Sequence, residues 1–437
     1  MLQSVRWMTG RRWRVLMPIL VACGIGLMSP AADAATCTTV TRRNLQDPDG
    51  AFFGNRYSTP VAINAAGDVL FSSRPRFAYE KLYLAKASGT LSIIARSFSP
   101  LPNGDLIVGG MPFRQLSLTD AGDLAVLATT SRGRALLVKQ PATPLEVAAQ
   151  VGRLSPFTDV RYDAIPQAST INASRLVAFI ADLRKNLGHG IFEYSHGLFE
   201  YNALTNVTVP IYFAGVATTD GRELCLFEDL ELSDSGHIAI VADSRVECDD
   251  EDEPIVPGLF LATEAGIATL VLQDGASPIP GATYRRLIDR PQMSPTDDIL
   301  FRARLSGTST AEALFLRNAA TGEVAHVVSD GDPLPSGGLI ESLNDARLAA
   351  DGSVVVLVET NGDDDRFCLF RYAGGVATPL LTGSDAPPTD QFTPPNRYTG
   401  FEPFFGLSAS GGKIGLVARI RDGARPRSKS GVLRCSP

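Results

Sequence analysis

This sequence predicts an all-β fold, a seven-bladed β-propeller with four antiparallel strands per blade, on three observations. A turn-plus-strand string recurs seven times, Pro-bearing linkers separate the copies, and the two ends of the chain complement one another. Each copy has a turn-forming residue, two spacers and usually Gly, followed by a short apolar run. Asn64-Ala-Ala-Gly67 precedes Val69-Leu70-Phe71, Thr119-Asp-Ala-Gly122 precedes Leu124-Ala125-Val126, and Asn172-Ala-Ser-Arg175 precedes Val177-Ala178-Phe179. Ser233-Asp-Ser-Gly236, Ser294-Pro-Thr-Asp297, Ala349-Ala-Asp-Gly352 and Ala409-Ser-Gly-Gly412 lead into Ile238-Ala239-Ile240, Ile299-Leu300-Phe301, Val354-Val355-Val356 and Ile414-Gly415-Leu416. Their fourth positions lie 55, 53, 61, 61, 55 and 60 residues apart. Short strands recurring at such a period are the mark of radial β architecture.

Taken in chain order, residues 1–34 read as a signal peptide. Arg6, Arg11, Arg12 and Arg14 form a basic head, Val15 to Met28 is too short to span a bilayer comfortably, and Ala32-Asp33-Ala34 offers small residues for cleavage. Leu20-Val21-Ala22-Cys23 also fits a lipobox, so a lipid anchor at Cys23 is the alternative processing. Export places the product in the periplasm or outside the cell. Residues 35–437 are then one propeller domain. Cleavage removes both tryptophans, Trp7 and Trp13, and leaves 36 basic and 46 acidic residues, a net charge near −10. That charge argues against general nucleic-acid binding. No later apolar run is long enough to cross a membrane.

In the first unit, Pro60 to Ile63 and Val69 to Ser72 form a hairpin, and Lys81 to Ala85 and Leu91 to Arg96 supply two more strands. Gly suits the left-handed position of a tight turn, and Asn, Ser or Thr can bond the backbone close by. The linkers recur as Ser99-Pro-Leu-Pro102, Ser155-Pro156, Ser277-Pro-Ile-Pro280, Asp332-Pro-Leu-Pro335 and Ala386-Pro-Pro388. The last copy has strands near Phe404, Ile414 to Arg419 and Gly431 to Cys435, and lacks a fourth. The run Cys37 to Arg42 has no hairpin partner of its own, so it is the missing strand, and pairing the ends removes the open sheet edges.

Cysteine placement agrees. Cys37 and Cys435 fall on neighbouring strands of the closing blade, and Cys225 and Cys248 flank the Ser233–Gly236 turn symmetrically, so a simple hairpin register sets them opposite. An exported chain meets an oxidising compartment, and both pairs are expected as disulfides. Cys368 is left over as a small buried hydrophobe. Joining the ends contributes about 5 kcal/mol in the loop-entropy picture.

The Asn/Ser-x-x-Gly-x-x-x-Phe string with its Gly/Asp-x-x-Pro linker resembles exported tandem-repeat proteins named for an NxxGxxxF-type motif. More distantly it is similar to the Ser-Pro-Asp-Gly blades of TolB-like propellers. The full form stands at Asn64, Gly67 and Phe71. Asn172 and Phe179 lack the Gly, and Ser294 and Phe301 have Asp297 in its place. The resemblance spans nearly all of residues 37–437 and implies an exported, often surface-associated propeller with no catalytic residues to transfer.

Motifs for chemistry are sparse. His189, His196, His237 and His326 fall in three repeats; His189 and His196, seven apart in one hairpin, have no third ligand by spacing. No Gly-x-Ser-x-Gly elbow, phosphate-cradling loop or Cys-x-x-Cys pair occurs. The runs Asp249-Asp250-Glu251-Asp252-Glu253 and Asp363-Asp364-Asp365 offer hard oxygens for Ca²⁺ but lack the alternate spacing of a Ca²⁺ loop, so solvated loops are the plainer reading. No cofactor is called for, and Ca²⁺ is the one candidate.

The loops between second and third strands share one face of a propeller, and their charges are uneven. Arg421, Arg425 and Arg427 lie in the seventh blade, Arg74 and Arg76 in the first, Arg132 and Arg134 in the second, Arg184 and Lys185 in the third. These blades are contiguous in a closed ring, opposite the acidic loops of blades four and six. A basic crescent is expected to meet an anionic protein or polymer. The expected function is therefore an exported, non-enzymatic binding scaffold. The alternative is an extracellular polysaccharide hydrolase or lyase with carboxylates on the loop-rich face.

Overall fold

Each recurring turn joins the first two strands of an antiparallel blade. A computed structural model of the protein describes residues 35–109, 112–188, 191–250, 252–335, 337–361, 367–383, 385–388, 397–421 and 428–436. Blade 1 pairs Phe53–Ile63, Val69–Pro75, Lys81–Ala85 and Leu91–Arg96 in that order, from the axis outward. The pattern repeats over residues 113–150, 160–213, 216–272, 283–329 and 340–381. Blade 4 carries an extra two-residue strand, Val216–Ala217, against Glu223–Leu232. The seventh blade pairs Arg397–Leu407, Ile414–Arg421 and Ser428–Ser436, and its outermost strand is Thr36–Arg42. Cys37 stands directly opposite Cys435 there, and a disulfide joins them.

The turn string works as a left-handed turn and as a clamp between blades. The Gly67 amide donates to the Asn64 carbonyl, with Gly67 at φ 87°. The Asn64 side chain accepts from the Asp68 amide (2.8 Å) and donates to the Thr119 carbonyl of blade 2 (3.3 Å). Asn172 repeats both contacts, accepting from the Leu176 amide and donating to the Ser233 carbonyl of blade 4. Asp120 and Asp234 answer by accepting from the Ala65 and Ala173 amides. Where Gly is missing, Arg175 (φ 62°) and Asp297 (φ 66°) still adopt the turn's left-handed conformation. The seventh copy sits one residue earlier than its sequence suggests. Its amide-to-carbonyl bond runs from Gly411 to Ser408, and Gly412 is an extra residue before the strand.

Because the apolar runs face neighbouring sheets on both sides, the core lies between blades. Leu70 and Leu82 of blade 1 pack with Leu116, Val126 and Leu137 of blade 2. On the other side, Phe71 and Tyr83 pack with Val417 and Val432 of blade 7. Such fully buried side chains each contribute about 1.5 to 3 kcal/mol.

Cys225 and Cys248 are also bonded, but not across a ladder pair. Shifts between Leu224 and Leu226 and between Phe227 and Asp229 pull the register away from simple alternation. Leu224 therefore faces Ser244, and Cys248 lies in the loop beyond Arg245. Cys368 is buried in blade 6, outside both disulfides. Among the described residues no helix is long and apolar enough to cross a membrane.

Candidate functional site on the loop face

Two sets of connections separate onto the two faces of the ring. The tight turns, with their inter-blade clamps, hold one face. The loops between second and third strands share the other with the linkers: the Ser97 amide of a linker bonds the Glu80 carbonyl of a loop, and Arg132 of a loop pairs with Asp105 of a linker.

The structure treats the expected basic residues unequally. Arg132 pairs with Asp105 (2.9 Å), Arg184 with Asp163 (3.3 Å) and Lys185 with Glu193 (3.8 Å). The Arg134 guanidinium donates to the Pro166 carbonyl (2.7 Å), and burial, with the Arg114 charge, lowers its pKa. Arg421 ends the second strand of blade 7 opposite Ser428 and is half-buried, while Arg425 and Arg427 lie outside the described residues. Arg74 and Arg76 are different. Both are exposed, and neither side chain is paired with an acid among the described residues. The acid in their own loop, Glu80, is buried and accepts from the Ser72 hydroxyl (2.9 Å).

Around these two arginines stand aromatic rings. Phe77 is fully exposed, and Tyr79 and Phe98 are about half-exposed, their ring centroids 4.5 Å apart at 59°. Phe52 is also exposed, and its carbonyl accepts from the Arg76 amide (2.8 Å). Phe77 and Phe98 both hold left-handed backbone, at φ 60° and 65°. Phe98 has structural counterparts in other linkers: Asn44, Gly152, Gly215, Asp274 and Gly331 are all left-handed. Each donates its amide to a carbonyl at or near the start of the next inner strand, and Phe98 donates to that of Ile107, shortly before the inner strand that begins at Phe113. The sequence placed Arg74 and Arg76 on this face. Sequence reasoning missed Phe98, because only the hydrogen-bond register aligns that residue with the glycines of the other linkers.

Elsewhere the candidates separate. His196 is tied to Asp182 through Nδ1 and to the Phe227 carbonyl through Nε2 (2.9 Å), and His189 lies outside the described residues. His237 bonds Asp297, and His326 approaches Asp332. Asp249, Asp250 and Asp252 are exposed, Glu253 accepts from the Val246 amide, and Glu251 and Asp363 to Asp365 lie outside the described residues. Among the described residues no three His, Cys, Asp or Glu side chains are placed to hold a metal ion. Two carboxyls of blade 4 stand out. Burial and the neighbouring Asp243 raise the pKa of Glu228 against the charge of Arg286, and burial raises that of Asp243 itself.

A family model described as a family of unknown function (DUF7453) matches residues 27–284. Among solved structures, polysaccharide lyase Uly1 is 9% identical, with 90% of this chain and 94% of that chain covered and a TM-score of 0.42. A puromycin-hydrolyzing peptidase of Mycobacterium tuberculosis is 9% identical over 86% of this chain and 53% of its own, at a TM-score of 0.48. The Aleuria aurantia lectin AAL is 9% identical over 78% and 99%, at 0.34. No curated protein matches. At these levels the structural similarities carry nothing about activity.

Proposed function

The chain belongs to the DUF7453 family of unknown function, so its activity has to be read from its own residues, and we propose an exported, non-enzymatic binding propeller that receives an anionic partner at Arg74 and Arg76. One observation carries this reading: two exposed guanidiniums keep no described acid partner, while Arg132 of blade 2 and Arg184 and Lys185 of blade 3 each face an acid. Arginine presents a planar fork suited to carboxylate or phosphate, so unmatched arginines at a surface favour an anion. Export is supported by the leader-like residues 1–34 and by the two disulfides.

The test compares the double variant Arg74→Ser/Arg76→Ser with Arg132→Ser on an anionic matrix at low salt. The double variant is expected to elute well ahead of the parent, and Arg132→Ser close to it. Unchanged retention of the double variant would reject the reading.

A second reading, polymer cleavage, is favoured by the raised pKa values of Glu228 and Asp243, since an upward shift suits a carboxyl to the role of general acid. It requires that the parent release new chain ends from an acidic polysaccharide and that Glu228→Gln abolish the release. Binding without release leaves the scaffold reading.

A further inference from the structure

We infer that the blade-1 loop face is a binding site for a carboxylated polysaccharide, its sugar rings resting on Phe77, Tyr79 and Phe98 and its carboxylates on Arg74 and Arg76. This rests on the proposed anion-binding function and names the class of anion.

The backbone supplies the first argument. At positive φ the Cβ of a bulky residue crowds the following carbonyl oxygen, so the conformation is strained. Gly152, Gly215 and Gly331 meet the linker requirement at little cost, and Asn44 and Asp274 tolerate it. Blade 1 puts phenylalanine there instead, and burial does not repay the strain, because Phe98 is 49% exposed. Phe77 doubles the anomaly, left-handed and fully exposed in the facing loop. Sparsely populated backbone conformations concentrate at ligand sites, where the fold holds a side chain in a position the ligand needs.

Ring geometry supplies the second. Tyr79 and Phe98 meet at 59° with centroids 4.5 Å apart, so they form a corner that leaves ring faces open to solvent. The Ser97–Glu80 backbone bond fixes the linker to the loop beneath it. Open aromatic faces suit the apolar C–H faces of sugar rings, and an acidic peptide has no equivalent flat face.

Charge supplies the third. Two arginines with no described acid partner, on a chain of net charge −7, match a polymer with well-spaced carboxylates. A single-stranded nucleic acid carries one charge per about 3.4 Å and binds through grooves of many cations. Among the described residues Arg132 of blade 2 and Arg184 and Lys185 of blade 3 are already paired with acids, so no run of unpaired cations extends from blade 1 toward them.

The experiment is titration calorimetry of the exported chain at low salt with four probes: polygalacturonate, neutral dextran, polyglutamate and a single-stranded oligothymidylate. Polygalacturonate is expected to bind, and dextran, polyglutamate and the oligonucleotide to bind at least about tenfold more weakly. Phe98→Gly removes the ring while suiting the left-handed backbone, so it should melt no lower than the parent and still bind polygalacturonate about tenfold more weakly. Phe98→Gly binding like the parent would overturn the sugar assignment, as would equal affinity for polyglutamate or for the oligonucleotide. If Arg74→Ser/Arg76→Ser keeps parental affinity for every anion, the anion-binding function itself fails. If that variant loses polyglutamate and polygalacturonate alike while Phe98→Gly loses neither, the anion site stands and the sugar inference falls.

Discussion

Asp47 shows how a single residue departs from the repeat. Leu101 and Leu334 occupy the equivalent place in later linkers, buried, with the same pair of turn hydrogen bonds. Asp47 is equally buried but accepts from Lys81 Nζ (2.6 Å) and the Tyr83 hydroxyl (3.0 Å). Burial by itself would raise its pKa; the bonds from Lys81, Tyr83 and the Ala51 amide, with the Lys81 charge, outweigh it and hold the carboxyl below the usual carboxylate value. Asp68, Asp297 and Asp351 are held low as well. A carboxyl depressed in the folded state contributes stability above its unfolded pKa and loses it as pH falls through the folded value. The urea midpoint is therefore expected to stay level above about pH 5 and to fall below about pH 4; a midpoint indifferent to acid would contradict this. Asp47→Leu, which leaves Lys81 with only the partly exposed Asp49, should cost about 3 kcal/mol, and adding Lys81→Met should recover most of it. At this scale the sequence was least legible. Arg132, Arg184 and Lys185 read as a free basic rim because Asp105, Asp163 and Glu193 reach them only through the fold.

At the scale of the element, the periodic turns made the blades readable, since four strands and a left-handed turn recur wherever the backbone demands them. The strands Lys81–Ala85 and Leu91–Arg96 match their sequence-read bounds, whereas the inner strand of blade 1 begins at Phe53, seven residues before Pro60. The difference lies in register: Phe53 to Arg56 and Ser58 to Ala62 are irregular against the next strand, which breaks the alternation that marks a strand. The turn's register, which sets Leu232 opposite Ile238, and the two bulges together account for the Cys225–Cys248 geometry, with the pairing evident and its position not. The closing strand Thr36–Arg42 is held by one neighbour and by the Cys37–Cys435 bond, across a sequence separation of 398. Replacing both cysteines by Ser should lower stability by about 5 kcal/mol and expose this strand first to amide exchange. Equal protection of Thr38 to Arg42 in parent and variant would show that the ladder alone suffices.

Across the whole molecule, core clusters bridge neighbouring blades, so each sheet is stabilised by the two beside it and the ring has no terminal unit to cap. One consequence concerns the seam in blade 7. Ser436 and Thr36 are register partners, so a few added residues could splice them and the gene could be reopened at Ser88-Gly89, in the exposed turn before the outer strand of blade 1. Such a circular permutant should refold to the parental melting temperature. It should also shrug off reductant at the old junction, because a peptide bond would now do the work that sulfur does in the native order.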